Sequence, residues 1–283
     1  MPEDPTPGRV REAQAPGGPV ALVTGASAGL GRALAGLLVR ERGMTVLATA
    51  RRRDRLEALR DELPPGSVEI LDGDLADPAF RERLWSWAES RSPRGVDLLV
   101  NNAGVGHYDD FADQDPAQIR QIVELNLMAL MDLTQRAIRS MRPRGSGQIL
   151  QISSTLGFVG LPYSAAYVAS KHAVNGLVKS LRYELAGTGV RVWAACPGQT
   201  ESEFRRVALA GHRPPPDAWG GEPTDKVARG ILRGLDRRGA FHIPTMIPRA
   251  IVASASWLPG PFDWIMRNWA PRRFGREIGR RLD

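Results

Sequence analysis

Short apolar segments alternate with helix-length amphipathic segments along most of this 283-residue chain. The first pair is the strand-like "VALVT" at 20–24 and a stretch with leucines at helical spacing, which Gly43 would end. Strands joined by helices pair in parallel through right-handed crossovers. The alternation therefore predicts an α/β fold with a doubly wound open sheet. Strands are predicted at 20–24, 45–50, 67–74, 96–104, 147–154, 190–198 and near 240–244, and helices at 30–43, up to about 63, from 77, and at 116–141, 164–186 and 223–238.

The two ends of the chain differ from this alternating part. Residues 1–18 are rich in proline and polar residues and lack the apolar segment of a secretory signal, so we predict a mobile N-terminal tail. Residues 19–244 contain no internal linker and are predicted to form one Rossmann-type domain. Residues 245–283 mix Trp, Ile and Met with six arginines from Arg267 onward. This extension is predicted to be a helical lid or subunit contact, or else an interfacial segment on an anionic membrane.

Composition restricts the partners and sites. The net charge is +7, but the basic residues are mostly spread along the chain, so no nucleic-acid partner is predicted. The four histidines are scattered and Cys196 is the only cysteine, so no metal site and no internal disulfide are predicted. A reducing compartment fits this cysteine usage, and we expect a cytoplasmic protein.

A glycine-rich turn follows the first predicted strand. In "TGASAGLG", Gly25, Gly29 and Gly31 would let the backbone turn tightly and approach a pyrophosphate at the start of the next helix. The spacing is G-x3-G-x-G, and simple punctuation between a strand and a helix remains an alternative. The strand before the turn and the helix after it favour nucleotide binding.

The end of the second strand indicates which dinucleotide is bound. Ala50 stands where an acidic residue would hold a ribose 2′-hydroxyl, and Arg51 follows it. A guanidinium group can bind a 2′-phosphate through two hydrogen bonds. The pattern predicts NADP(H) in preference to NAD(H). The alternative is that 51–53 is only a solvated helix start.

Two further strand ends carry polar residues. Asp74 could accept a hydrogen bond from an adenine amino group, although an N-cap role for Asp74 or Asp77 is a fair alternative. The segment "NNAG" at 101–104 offers amide side chains that can brace neighbouring strands, and Gly104 lets a cofactor lie close.

The segment "YVASK" places Tyr167 and Lys171 on one helix face, four residues apart. A neighbouring ammonium group stabilises a phenolate, so we expect Lys171 to lower the pKa of Tyr167 and to make it a proton donor or acceptor. The alternative is an amphipathic helix with a half-buried tyrosine and an extended lysine. Tyr163 is a second phenol, but at the helix entry it cannot lie beside Lys171.

Two polar residues strengthen the catalytic interpretation. Ser154 ends a strand, and its hydroxyl can meet the same substrate oxygen as the phenol. Asn126 lies among apolar residues of a long helix, where a buried amide needs a hydrogen-bond partner. An ordinary core asparagine remains the alternative for Asn126.

This set of motifs resembles the short-chain dehydrogenase/reductase family. The resemblance covers about 220 residues and rests on T-G-x3-G-x-G at 24–31, Asp74, N-N-A-G at 101–104, Asn126, Ser154, Y-x3-K at 167–171 and Pro-Gly at 197–198. It implies that Tyr167 transfers a proton, Lys171 tunes it and binds ribose, Ser154 orients the substrate oxygen and Asn126 holds a relay water. It also implies that Thr200 lies near the nicotinamide carboxamide and Ser202 near the phosphates. The cofactor residues that it implies are Gly25, Ser27, Gly29, Leu30, Gly31, Arg51, Asp74, Leu75, Asn102, Ala103, Gly104, Tyr167, Lys171, Pro197, Gly198, Thr200 and Ser202.

The predicted function is NADP(H)-dependent interconversion of a carbonyl and an alcohol. Apolar residues in 203–222, such as Phe204 and Trp219, suggest a hydrophobic small-molecule substrate. A dinucleotide-binding regulatory scaffold without turnover and a membrane-associated lipid carbonyl reductase are the alternatives. The resemblance implies a homo-dimer or homo-tetramer formed through the helices at 116–141 and 164–186.

Overall fold

The computed structural model of the protein describes residues 18–201, 203–205 and 221–270. A π-helical turn covers Glu124–Met128, and 3-10 turns cover Thr155–Gly157 and Glu203–Arg205. The strands are β1 (Val20–Thr24), β2 (Thr45–Ala50), β3 (Val68–Asp72), β4 (Leu98–Asn101), β5 (Gly147–Ile152), β6 (Val190–Ala195), β7 (Thr200–Glu201), β8 (Glu222–Pro223) and β9 (Phe241–His242). The helices are α1 (Gly29–Arg42), α2 (Arg53–Asp61), α3 (Pro78–Ser90), α4 (Pro116–Val123), α5 (Ala129–Met141), α6 (Ala165–Glu184), α7 (Thr224–Gly234), α8 (Met246–Trp257) and α9 (Pro259–Asn268).

Within the described part of the chain, seven parallel strands form one sheet in the order β3-β2-β1-β4-β5-β6-β9. A separate ladder pairs β7 with β8. Since β1 pairs with β2 on one side and with β4 on the other, the strand order reverses at β1. Such a reversal opens a crevice at the carboxyl ends of the strands. The predicted doubly wound Rossmann-type fold is confirmed.

Apolar side chains cover both faces of the sheet. One cluster joins the strands to α1, α2 and α7, and a second joins them to α3, α5 and α6. All five residues of β1 are buried. A parallel strand that is covered on both faces has a continuous apolar sequence, which is why "VALVT" shows no alternation.

Several predicted element boundaries are confirmed. The bounds of β1 and β2 match the prediction, Gly43 ends α1 in a left-handed conformation (φ 61°), and Asp77 caps α3. The strands predicted at 67–74, 96–104, 147–154 and 190–198 are shorter at their carboxyl ends. Their last residues leave the sheet because they form the loops at the crevice.

The helix predicted at 116–141 is interrupted. A π-helical turn separates α4 from α5 and carries the fully buried Asn126. Its amide side chain binds both backbone groups of Val105, which anchors the turn to the loop after β4. Hydrophobic periodicity cannot reveal this turn, because one extra residue hardly changes the pattern.

The C-terminal extension contributes α8 and α9. Pro248 of α8 lies so close to Gly198 that a Cβ at Gly198 would come within 2.4 Å of the proline Cγ. By contrast, α9 buries none of its residues. Among the described helices, none combines the length and the apolar character needed to cross a membrane. The division at 244/245 stays a prediction, and residues 1–17 and 271–283 lie outside the described residues.

Candidate active site

A cleft of about 720 Å³ opens at the carboxyl ends of the strands, where the strand order reverses. It runs from the glycine-rich turn to α6 and brings together most of the predicted site residues. Gly31 and Asn126 lie outside its lining, and Ser202 is not among the described residues. The predicted residues that line it are Gly25, Ser27, Gly29, Leu30, Arg51, Asp74, Leu75, Asn102, Ala103, Gly104, Ser154, Tyr167, Lys171, Pro197, Gly198 and Thr200.

The glycine-rich turn depends on glycine at three positions for two reasons. Gly25 and Gly29 adopt positive φ angles of 66° and 53°, which other residues rarely adopt. A Cβ at Gly31 would come within 2.3 Å of both the Gly25 carbonyl oxygen and the Asn102 amide nitrogen. The structure gives Gly31 a packing role behind the cleft wall, and its predicted part in cofactor binding stays a prediction.

The asparagine pair after β4 braces the strands. Asn102 Nδ2 donates to the carbonyls of Thr24 (2.9 Å) and Gly25 (3.2 Å), which holds the glycine-rich turn against the β4 loop. Asn101 Nδ2 donates to the Gln151 side chain at 3.0 Å. The bracing role that the sequence suggested is present, and Asn102, Ala103 and Gly104 also line the cleft.

Two arginines line the cleft beyond β2. The predicted Arg51 is exposed, whereas Arg52 donates to Ser27 Oγ at 3.2 Å and thereby joins the β2 end to the glycine-rich turn. Sequence reasoning placed Arg51 in the site and missed Arg52. The basic run "RRR" was the available signal, but only the backbone direction after β2 shows which guanidinium reaches the turn.

The two aspartates after β3 have separate roles. Asp77 is the N-cap of α3 and accepts from the Ala79 N–H at 2.9 Å. Asp74 lines the cleft, where one carboxylate oxygen accepts from the Ala76 N–H at 2.9 Å. The neighbouring Leu75 is buried below it. The helix-capping alternative thus applies to Asp77.

Tyr167 and Lys171 both face the cleft from α6. The Lys171 amine is buried and donates to the Ile152 carbonyl at 2.9 Å. It lies 5.6 Å from the centroid of the Tyr167 ring. The arrangement therefore excludes the alternative of an exposed, extended lysine.

Burial controls the proton affinities of this pair. It raises the pKa of Tyr167 to about 12, and a hydrogen bond with Ser154 opposes the rise. Burial also lowers the pKa of Lys171 to about 8. The expectation that Lys171 lowers the pKa of the tyrosine is therefore wrong for this structure, because loss of water disfavours both charged forms. The phenol stays neutral at physiological pH, as a proton donor requires.

Ser154 connects the end of β5 to the phenol. Its Oγ accepts from the Leu156 N–H at 3.1 Å. A hydroxyl has a single proton, which this contact leaves available to donate to a group in the cleft. Ser154 and Tyr167 both line the cleft, and their predicted meeting at one substrate oxygen stays a prediction.

Asn126 supports the site from behind the wall. Its Oδ1 accepts from the Val105 N–H at 2.8 Å, and its Nδ2 donates to the Val105 carbonyl (2.9 Å) and to Ser170 Oγ (3.2 Å). These contacts agree with the alternative of a satisfied core asparagine. The water-relay role implied by the family resemblance stays a prediction.

The loop after β6 closes the cleft on a third side. Pro197, Gly198 and Thr200 line it, and Thr200 Oγ1 donates to the Gly198 carbonyl at 3.4 Å. Phe204, from which the sequence analysis predicted an apolar substrate pocket, also lines the cleft. The other apolar residues of that loop, at 207, 209 and 219, lie outside the described residues.

The sequence predicted a helical lid as one possibility for residues 245–283, but not the individual side chains that form the apolar wall of the cleft. Helices α8 and α9 cover it with Ile247, Pro248, Ile251, Phe262, Ile265 and Met266. Across from them, the loop after β4 and the segment after β5 add Val105, Tyr108, Leu156, Val159 and Leu161. These residues form no motif, and only the tertiary structure brings them together.

The residues of the cleft fit a dinucleotide. Tight glycine turns at one end expose backbone to a pyrophosphate beside Arg52, and a buried amine lies at the other end beside a neutral phenol. No group of three or more His, Cys, Asp or Glu side chains within the described ranges is arranged to hold a metal ion.

Comparison with known proteins gives the family. The family model described as short chain dehydrogenase matches residues 19–211. An uncharacterized oxidoreductase of Myxococcus xanthus is 38% identical over 256 residues, which cover 88% of this chain and 96% of that protein. A farnesol dehydrogenase of Aedes aegypti is 37% identical over 196 residues, covering 66% of this chain and 79% of its own.

A solved structure agrees with these relatives. The short-chain dehydrogenase from Sphingobium yanoikuyae in complex with NADPH has a TM-score of 0.75 and 29% identity, and the match covers 88% of this chain and 96% of that one. The family model spans well over half of the chain, and the matched region contains the glycine-rich turn, Ser154, Tyr167 and Lys171. The chain therefore belongs to the short-chain dehydrogenase/reductase family of oxidoreductases.

Proposed function

We propose that the protein is an NADP(H)-dependent oxidoreductase that interconverts a carbonyl and an alcohol on a hydrophobic small molecule. The observation that carries this proposal is that Ser154, Tyr167 and the buried Lys171 lie together in the wall of the cleft. When bound, NADP(H) supplies or accepts the hydride.

Each of these side chains has a distinct role in the proposal. The neutral Tyr167 hydroxyl donates a proton to the substrate oxygen during carbonyl reduction. Ser154 donates a second hydrogen bond to the same oxygen, and the Leu156 N–H fixes its position. Lys171 binds a cofactor ribose and is held in place by the Ile152 carbonyl.

Tyr167→Phe tests the catalytic proposal, because it removes one hydroxyl and keeps the ring. We expect turnover to fall by about 10²–10⁴-fold, the usual contribution of a positioned general acid. Binding of NADPH, measured by fluorescence titration, stays within a few-fold of wild type. Full activity in this variant would contradict the role of the tyrosine.

The preference for NADP(H) rests on the residues at the end of β2. Ala50 offers no carboxylate to a ribose hydroxyl, and Arg51 and Arg52 line that end of the cleft. Arg51→Asp and Arg52→Asp are expected to weaken NADP⁺ binding more than NAD⁺ binding in calorimetric titrations. Equal affinity of the wild-type protein for NADP⁺ and NAD⁺ would remove this part of the proposal.

The substrate class follows from the apolar covering of the cleft by α8 and α9. The similarity to a farnesol dehydrogenase agrees with an apolar alcohol or its carbonyl counterpart. A screen of NADPH oxidation with ketones and aldehydes of increasing chain length tests this, and rates should rise with apolar length. Cofactor binding without turnover of any carbonyl would favour the regulatory scaffold instead.

The assembly proposed is a homo-dimer or homo-tetramer in the cytoplasm. The helical region at 116–141 exposes Val123, Met128 and Met131, and α6 exposes Tyr183. Exposed apolar groups on neighbouring helices are typical of subunit contacts. Sedimentation velocity should show an oligomer that Met131→Glu dissociates, and a wild-type monomer would contradict the assembly.

Membrane contact through the C-terminal extension is the second candidate. While the inner sides of α8 and α9 cover the cleft, their outer sides expose Trp257, Leu258 and Trp264. The sequence after them, 271–283, contains five arginines. Tryptophan with neighbouring arginine is typical of an interfacial segment on anionic lipid. Co-sedimentation with anionic vesicles that is lost in Trp257→Ser/Trp264→Ser would support this candidate. Without co-sedimentation of the wild type, the interpretation as a lid or subunit contact remains.

A further inference from the structure

One short turn touches both ends of the cleft. The 3-10 turn Glu203–Arg205 follows β7 and places two adjacent side chains at separate sites. Glu203 Oε2 accepts from Arg52 Nη1 at 3.1 Å and from Arg55 Nη1 at 2.6 Å. The ring of Phe204 packs on the ring of Tyr167, with their centroids 5.8 Å apart.

The carboxylate of Glu203 lies at the end of the cleft that the glycine-rich turn forms. Arg52 binds it with one nitrogen and binds Ser27 Oγ with the other. These arginines hold the pKa of Glu203 below its ordinary value, so it is charged at neutral pH. A carboxylate and a phosphate use the same guanidinium donors. Glu203 therefore holds donors that an entering 2′-phosphate would use.

The phenyl ring of Phe204 lies over the catalytic end. It packs at a tilt of 57° against the ring of Tyr167, and a Cβ at Gly106 would come within 2.9 Å of its Cε1 atom. The ring, which stays partly exposed, thus lies between α6 and the loop after β4. Since residues 203 and 204 belong to one turn, the ion pairs of Glu203 help to hold Phe204 in this position.

We propose that Glu203 determines cofactor selectivity as an internal competitor for Arg52 and Arg55. A ligand with a 2′-phosphate displaces the carboxylate, and the release of the turn frees Phe204 from Tyr167. A ligand without that phosphate leaves the ion pairs in place. This inference rests on the proposed NADP(H) function and adds a link between the adenosine end and the catalytic end.

The main test uses nucleotide fragments that lack nicotinamide, so that no chemistry enters the measurement. Calorimetry gives the dissociation constants of 2′,5′-ADP and ADP for the wild type, Glu203→Gln and the control Glu201→Gln, which changes an exposed neighbouring carboxylate. Exposed ion pairs contribute little each, so we expect about 3- to 10-fold tighter binding of 2′,5′-ADP in Glu203→Gln. The affinity for ADP and both affinities of the control should stay within about twofold of wild type, a difference of less than 0.5 kcal/mol.

The outcomes separate the inference from the function on which it rests. If the wild type prefers 2′,5′-ADP to ADP and Glu203→Gln leaves both affinities unchanged, the competitor role is overturned and the NADP(H) proposal stands. Equal tightening of both fragments also overturns it. If neither protein prefers 2′,5′-ADP, the NADP(H) proposal fails and the inference falls with it.

A second measurement follows the exposure of position 204 in the turn. The native Cys196 is the only cysteine and is buried, so a Phe204→Cys variant carries one accessible thiol. We expect 2′,5′-ADP to speed its reaction with a disulfide reagent severalfold, and ADP to have no effect. The double variant Glu203→Gln/Phe204→Cys should react fast without ligand. Labelling that ignores 2′,5′-ADP would overturn the link between the two ends.

Discussion

Replacing Lys171 by methionine should leave the protein at least as stable as wild type at neutral pH, although Lys171 is proposed to act in catalysis. The side chain is buried, and its amine has the Ile152 carbonyl as a hydrogen-bond acceptor. Burial lowers its pKa from 10.5 to about 8, which means that the fold disfavours the charged amine. At about 1.4 kcal/mol per pKa unit, the wild type carries a penalty of about 3 kcal/mol at neutral pH. Methionine keeps the volume and removes this penalty.

The stability that Lys171 contributes should increase with pH. Between pH 8 and 10.5, Lys171 is protonated in the unfolded chain and neutral in the folded protein. The unfolded state binds more protons there, so stability from this group rises with pH. It is fully present above pH 10.5 and is lost as the pH falls through 8. The variant lacks this dependence.

Urea denaturation of the wild type and Lys171→Met at pH 7 and at pH 10.5 tests the reasoning. At pH 7 the variant should be as stable as wild type or up to about 2 kcal/mol more stable, because loss of the bond to Ile152 offsets part of the gain. Raising the pH should favour the wild type by about 3 kcal/mol relative to the variant. Lys179→Met, on the exposed side of α6, is the control. Identical pH dependence in wild type and Lys171→Met would refute the burial argument.

Three further predictions concern groups around the cleft. Arg81 is buried, pairs with Glu124 and Asp132 and donates to the Leu75 carbonyl, so Arg81→Met should lower the free energy of unfolding by about 1–3 kcal/mol in urea titrations, because Glu124 and the carbonyl lose a partner while Asp132 keeps Arg136. Asn126→Ala should lower the free energy of unfolding by about 2–4 kcal/mol, since the backbone N–H and carbonyl of Val105 lose their partners. An unchanged urea midpoint would argue against this role of Asn126. Gly31→Ala should weaken binding of both ADP and 2′,5′-ADP in calorimetry, because its methyl group would push the glycine-rich turn away from Asn102; unaltered affinities would contradict this packing role.

The sequence alone determined the fold class and much of the site. Alternating apolar and amphipathic segments suffice for a doubly wound sheet, since strand and helix periodicities are local properties. The helix-ending Gly43 and the N-cap Asp77 were predicted for the same reason. Tyr167 and Lys171 could be paired because the geometry of one helix fixes residues four apart.

Tertiary structure decided what depends on distant parts of the chain. The pairing of Arg52 with Glu203 joins residues 151 positions apart, and no local pattern shows it. The pKa of Tyr167 was misjudged because burial, which the whole fold creates, raises it. A helical lid was one of the predictions for the C-terminal extension, but the tertiary structure decided which side chains of α8 and α9 cover the cleft. Backbone geometry is set by neighbours in sequence, whereas desolvation and ion pairing are set by neighbours in space.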